Sequence, residues 1–115
     1  MATPLARTYF PEFKQDLLAL GDVNLQRRVL TIWTDVSKGL VQGIPLENLA
    51  SVGDLSDCFK IYFDVRDDGP PRYRFVYRIR DNGVEAVSVE AVAAGERRAL
   101  KVYREAARRL GRRPH

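Results

Sequence analysis

Residues 59–83, FKIYFDVRDDGPPRYRFVYRIRDNG, constrain the fold more than any other stretch of this chain. Cys58 to Arg66 and Tyr73 to Arg80 both alternate. Phe59, Ile61, Phe63 and Val65 therefore share a face on one strand, and Tyr73, Phe75, Tyr77 and Ile79 share a face on the next. Two such rows of apolar and aromatic side chains make a hairpin that helices must cover. The opposite face then collects Lys60, Tyr62, Asp64 and Arg66 from one strand and Arg74, Val76, Arg78 and Arg80 from the other. Like charges across a hairpin repel, so this face predicts an anionic partner.

The flanks supply the helices. Leu5 to Phe10 reads as a short strand, and Pro11 suits the first turn of a helix running to about Leu20. Gly21-Asp22 breaks that helix and caps a longer one, in which Leu25, Val29, Ile32, Val36 and Leu40 recur at spacings of three and four with Trp33 beside them. Gln42 to Asp57 lacks periodicity and reads as a loop, with room for a helical turn at Leu46 to Leu49. Asp81-Asn82-Gly83 is a turn, Val84 to Val92 a third strand of the hairpin series, and Gly95 its end. Ala99 to Leu110 is helical, with Leu100, Tyr103, Ala107 and Leu110 on one stripe and Lys101, Arg104, Arg108 and Arg112 on another. The tail from Gly111 reads as frayed. The expected fold is a single α+β domain spanning residues 1–115. It has a small twisted, mainly antiparallel four-stranded sheet, two N-terminal helices on one face and a C-terminal helix beside the other edge.

Composition removes several classes of function. With 115 residues, 45% hydrophobic and 30% charged, and no apolar run near the roughly 18 residues a bilayer span needs, the chain reads as a globule without a membrane segment. The N-terminal MATPLARTYFPEF has no signal-peptide layout, which points to the cytoplasm. One cysteine, Cys58, and one histidine, His115, supply neither an internal disulfide nor a Cys/His metal set, so no metal or other cofactor is expected. The net charge of +4 is unevenly spread: residues 94–115 carry eight Lys/Arg against Glu96 and Glu105, so the basic field is local.

The segments LSDCFKIYF, RYRFVYRI and AVAAGERRALKVYREAARRLG together resemble bacterial RelE-type toxins of the RelE/ParE toxin–antitoxin superfamily. The likeness is close over Asp57 to Gly111, and in the first half it is one of layout, with a longer Asp64 to Arg72 loop. The resemblance implies metal-independent, ribosome-dependent cleavage of messenger RNA. In that reaction the ribose 2′-hydroxyl attacks the adjacent phosphodiester, leaving a 2′,3′-cyclic phosphate and a 5′-hydroxyl. It implies a cognate antitoxin, the ribosome and messenger RNA as partners. It assigns Lys60 and Arg74 to the scissile phosphate and Arg97 to stabilising or protonating the leaving 5′-oxygen, with Arg98 as an adjacent substitute. Tyr103 would stack on the base and orient the ribose. Tyr62 stands where the family carries a second lysine as general base. A phenol titrates near pH 10 unperturbed, and neighbouring cations favour its anion, so Tyr62 is either a base or a packing residue.

Other readings of these residues stand beside the family's. Spacing alone makes Tyr103 a core tyrosine with its hydroxyl at the rim. Arg78, Arg98, Lys101, Arg104 and Arg108 are candidate RNA contacts, but Arg78 and Arg80 also suit covering the sheet with their stems. The cluster Arg104, Arg108, Arg109, Arg112 and Arg113 is by default a solvated helix face. Asp64, Asp67 and Asp68 lack the spacing of a calcium loop. Two competing functions remain open: a gyrase-inhibiting protein of ParE type that cuts nothing, and a decayed domain that keeps the fold and the antitoxin contact.

Overall fold

The computed structural model describes residues 4–96 and 98–114. β1 (Ala6–Tyr9) leads into α1 (Phe13–Ala19) and α2 (Val23–Ser37), and three two-residue strands follow: β2 (Ile44–Pro45), β3 (Asn48–Leu49) and β4 (Gly53–Asp54). The long strands are β5 (Cys58–Phe63), β6 (Tyr73–Asp81) and β7 (Ala86–Glu96), after which a single 3-10 turn, Arg98–Leu100, enters α3 (Lys101–Arg109).

The main sheet runs β1-β7-β6-β5-β2, antiparallel except where β1 lies parallel to β7. It therefore has five strands where the sequence predicts four. The fifth is the β2 edge, too short to show alternation, whose Ile44 and Pro45 pair with Lys60 and Phe59. The segment read as a loop carries no helical turn at Leu46 to Leu49; β3 and β4 pair there as a separate ribbon.

Alternation along β5 and β6 sets the two faces as expected. Phe63, Phe75 and Tyr77 are buried with Phe13, Leu25, Val29 and Trp33 under α1 and α2, while Phe59, Ile61, Tyr73 and Ile79 pack at the margin. Trp33 is held in place by a 3.2 Å hydrogen bond from its indole nitrogen to the Val89 carbonyl. Asp22 caps α2, its carboxylate accepting from the amides of Asn24 and Leu25, a contribution of about 1 kcal/mol. That helix stops at Ser37, so Leu40 lies beyond it and is 71% exposed.

The C-terminal helix departs from expectation. It lies on the second face of the sheet, not beside an edge, and buries Val102, Tyr103, Ala106 and Ala107 against Cys58, Val76, Val92 and Ala93. A bulge makes this possible. Val76 pairs with Ala93 and Tyr77 with Ala91, which leaves Val92 as an extra residue, and Val92 and Ala93 both join the α3 core. β7 also runs through Gly95 to Glu96 instead of ending at Gly95. Nor is the tail frayed at Gly111. That residue takes a left-handed φ of 73°, and the Arg112 amide returns to the Ala107 carbonyl at 2.8 Å, closing the helix end.

Gly43 locks the β2 edge to the sheet. Its amide donates to the buried Tyr77 hydroxyl at 2.8 Å, and a Cβ there would stand 2.8 Å from the Lys60 carbonyl and 2.9 Å from Tyr77 Oη. Gly43→Ala is expected to destabilise the fold by about 1–3 kcal/mol, since both obstacles are anchored. Thermal unfolding measures this, and an unchanged Tm would contradict the packing.

Candidate functional site

α3 covers only part of the second sheet face. On the same face Lys60 and Tyr62 of β5 meet Arg74 of β6. Tyr62 lies directly opposite Arg74 in the ladder, and Lys60 lies opposite Val76. The Arg74 guanidinium stacks on the Tyr62 ring, 3.7 Å from its centroid, and the Lys60 ammonium stands 5.2 Å from the same centroid and 5.9 Å from that of Tyr103. These are cation–π distances, so the two cations and two phenols form one cluster.

Arg74 is only 5% exposed, and its Nη1 donates to the carbonyls of Pro71 and Tyr73 at 3.0 and 2.9 Å. One side of the guanidinium is thus fixed by backbone. Tyr62 is 40% exposed, whereas Tyr103 is 7% exposed and sits in the α3 core. The core placement that helical spacing gives Tyr103 is therefore its position, and its ring is reached from the site through Lys60. Arg97 lies outside the described residues. Leu100, at the head of α3, has a φ of 59°, a backbone strain that costs a leucine roughly 1–2 kcal/mol.

Charge pairing divides the remaining cations. Arg78 binds Glu90, its cross-strand neighbour, at 2.5 Å and approaches Asp57 at 3.8 Å. Arg80 lies 3.9 Å from the same Glu90, and Arg112 binds Asp57 at 2.7 Å. Arg108 is held by Glu105 and Glu12. These side chains are engaged with acids, so the predicted RNA contacts at Arg78 and Arg108 would each have to compete with a carboxylate. Among the described residues, no carboxylate lies within ion-pair distance of Lys60, Arg74, Arg98, Lys101 or Arg104. Arg98, Lys101 and Arg104 recur every third residue on the exposed side of the chain that enters and forms α3.

Two groups behave as structural elements. Cys58 is fully buried, and burial pushes its thiol up to about 12, with Asp57 adding to the shift, so it is not a nucleophile. The Arg72 side chain binds both oxygens of Asp64 and holds that carboxyl below the usual carboxylate range, which pins the base of the 64–72 loop. No three His, Cys, Asp or Glu side chains among the described residues come together as a metal set, and no described helix is long and apolar enough to cross a membrane.

The sequence reading missed one member of this region. Arg109, expected on a solvated face, has a side chain only 4% exposed and binds Asp16 of α1 through two hydrogen bonds of 2.6 and 2.7 Å. Its position was readable: Val102, Ala106 and Arg109 follow the i, i+4, i+7 spacing of the buried stripe.

The sequence matches no family model and no curated relative. A solved structure that it does match is that of the E. coli toxin RelE, in the free state and carrying two arginine-to-alanine substitutions. The TM-score is 0.66 at 23% identity, covering 94% of this chain and 99% of that one. This chain has the RelE fold. The β1-β7-β6-β5 arrangement with α1 and α2 on one face and α3 on the other is thus this chain's form of the RelE architecture.

Proposed function

We propose that this protein is the toxin of a type II toxin–antitoxin pair, a metal-independent endoribonuclease that cuts messenger RNA on the ribosome in the cytoplasm. The observation that carries this reading is the Lys60, Tyr62, Arg74 cluster. Lys60 and Arg74, neither with a carboxylate partner among the described residues, flank a solvent-accessible phenol on a sheet face where Arg78 and Arg80 pair with acids. Such a face suits a phosphodiester. In-line attack by the ribose 2′-oxygen builds negative charge on the phosphorus oxygens, and fixed cations in a shielded site stabilise it more than water does. Tyr62, as phenolate, takes the 2′-hydroxyl proton. Lys60 and Arg74 hold the phosphate, Arg97 neutralises the departing 5′-oxygen, and Tyr103 backs Lys60 from the core while setting the floor on which the nucleotide rests.

Arg98, Lys101 and Arg104 extend the cationic surface along α3 and serve as contacts to RNA phosphates, with Arg78 and Arg108 secondary because each is shared with an acid. An antitoxin covering this basic face would silence it. A second reading is favoured by one feature. Tyr62 replaces the lysine of the family resemblance, which suits a domain that keeps the fold and antitoxin contact without cleavage. The ParE-like gyrase reading has no residue here that favours it.

The test is cleavage with and without ribosomes. Purified protein is expected to cut messenger RNA in programmed ribosomes, giving 2′,3′-cyclic phosphate ends, and to cut free RNA far more slowly, because a weak base depends on substrate positioning. Efficient cutting of free RNA, or intact transcripts on ribosomes, would refute this assignment.

A further inference from the structure

We propose that the Asp16–Arg109 ion pair is a positioning device that replaces a missing strand and holds the end of β7 in register for the site; this rests on the cleavage reading above. β1 pairs with β7 only over Ser88 to Ala91, and the chain leaves after the Phe10 amide reaches the Ala91 carbonyl at 3.0 Å. β7 continues to Glu96 with β6 on one side and, among the described residues, no strand on the other. Arg109 Nη1 donates to the Val92 carbonyl at 2.7 Å, and Asp16 Oδ2 accepts from the Ala94 amide at 3.0 Å. The pair thus offers that edge one donor and one acceptor, as a neighbouring strand would.

What it holds is the partner row of the candidate site. Ala94 pairs with Phe75 and Gly95 with Arg74, and Arg97 follows two residues later in the chain. The pair also fastens α3, which carries Tyr103, to α1 on the far side of the sheet. Asp16 cannot move without releasing Ala94, and Arg109 cannot move without releasing Val92. A shift of β7 by a fraction of its spacing would displace Arg74 relative to Tyr62. Neither residue touches the Lys60, Tyr62, Arg74 cluster, so both act through β7 and α3.

The experiment compares Asp16→Asn, Arg109→Lys and Arg109→Gln with a control, Val29→Ala, on the buried face of α2. Each is measured for Tm, ribosome affinity, single-turnover cleavage on ribosomes and amide hydrogen exchange. Lysine keeps the charge but not the fork, so the order of rates is expected to be wild type, then Arg109→Lys, then Arg109→Gln. Asp16→Asn is expected to lose about 10- to 100-fold in rate, with ribosome affinity within about twofold, which is the scale of misplaced catalytic groups. Exchange is expected to accelerate at Val92 to Gly95 and at Arg74 while Ser88 to Ala91 stay protected. A control with the same loss of Tm that loses as much rate would overturn the proposal, as would variants that cut within twofold of wild type. Wild-type protein that fails to cut on ribosomes would defeat the cleavage reading separately. Exchange then decides on the clamp: local opening at Val92 to Gly95 upholds it, and opening spread evenly over the sheet refutes it.

Discussion

Arg74→Ala is expected to lower single-turnover cleavage on ribosomes by about 100- to 1,000-fold, the scale of removing one preorganised donor from a developing anion. Lys60→Ala is expected to fall in the same range. The two differ in structural consequence. Lys60 is only partly buried, and its removal leaves the ladder intact. Arg74 is 5% exposed, spans the carbonyls of Pro71 and Tyr73 and stacks on Tyr62, so its truncation removes packing as well as charge. Arg74→Ala is therefore also expected to show a measurable loss of Tm. Arg74→Lys separates the two effects. It retains the charge and much of the stem, and it is expected to restore most of the stability while remaining at least about tenfold slower, because an ammonium cannot stack and donate in the same fork. If Arg74→Lys cuts as fast as wild type, the guanidinium has no role beyond its charge.

Tyr62→Phe carries the second large effect. The substitution keeps the ring under Arg74 and removes only the oxygen, so the cation–π stack and the fold should persist. Loss of a general base typically costs about 100-fold or more, and that is the expected fall in the single-turnover rate, with ribosome binding unchanged. The pH profile adds a second readout. A phenol acting as base gives a rate that rises with pH until the phenolate is fully formed, and that limb is expected to disappear in Tyr62→Phe. Tyr62→Lys is expected to retain cleavage, since an amine between the same neighbours can take the same proton. A silent Tyr62→Phe paired with an inactive Tyr62→Lys would place the base elsewhere and return Tyr62 to packing.

Both predictions depend on the separation of paired from unpaired cations, and a net charge gives no hint of it. The local basic field at residues 94–115 appears in composition as one block. In the folded chain that block divides. Arg109 is buried against Asp16, Arg112 is tied to Asp57, and Arg108 is shared between Glu105 and Glu12, which leaves Arg98, Lys101, Arg104 and Arg113 as exposed cations with no acid partner among the described residues. Every acid in these pairs except Glu105 is distant in sequence. Helical periodicity on α3 alone could flag Arg109 as facing inward, but not what it would meet there.

The hairpin, its two faces and the helices that cover the first of them are legible in the order of residues alone. These depend on period-two and period-3.6 repeats of apolar side chains, which are local and survive in any single sequence. Equally legible is the shared face of Lys60, Tyr62 and Arg74, which alternation and antiparallel pairing place on one side of the hairpin. Contacts between distant segments set the rest. The bulge at Val92 turned two consecutive residues toward α3 and so placed that helix on the second face. The two-residue β2 edge formed because Gly43 admits the Tyr77 hydroxyl, a close approach between positions 34 residues apart. The burial of Tyr103 and the Asp16–Arg109 clamp likewise follow from contacts between distant segments. Their free energy arises only when both partners are in place, and so neither partner alone carries its mark.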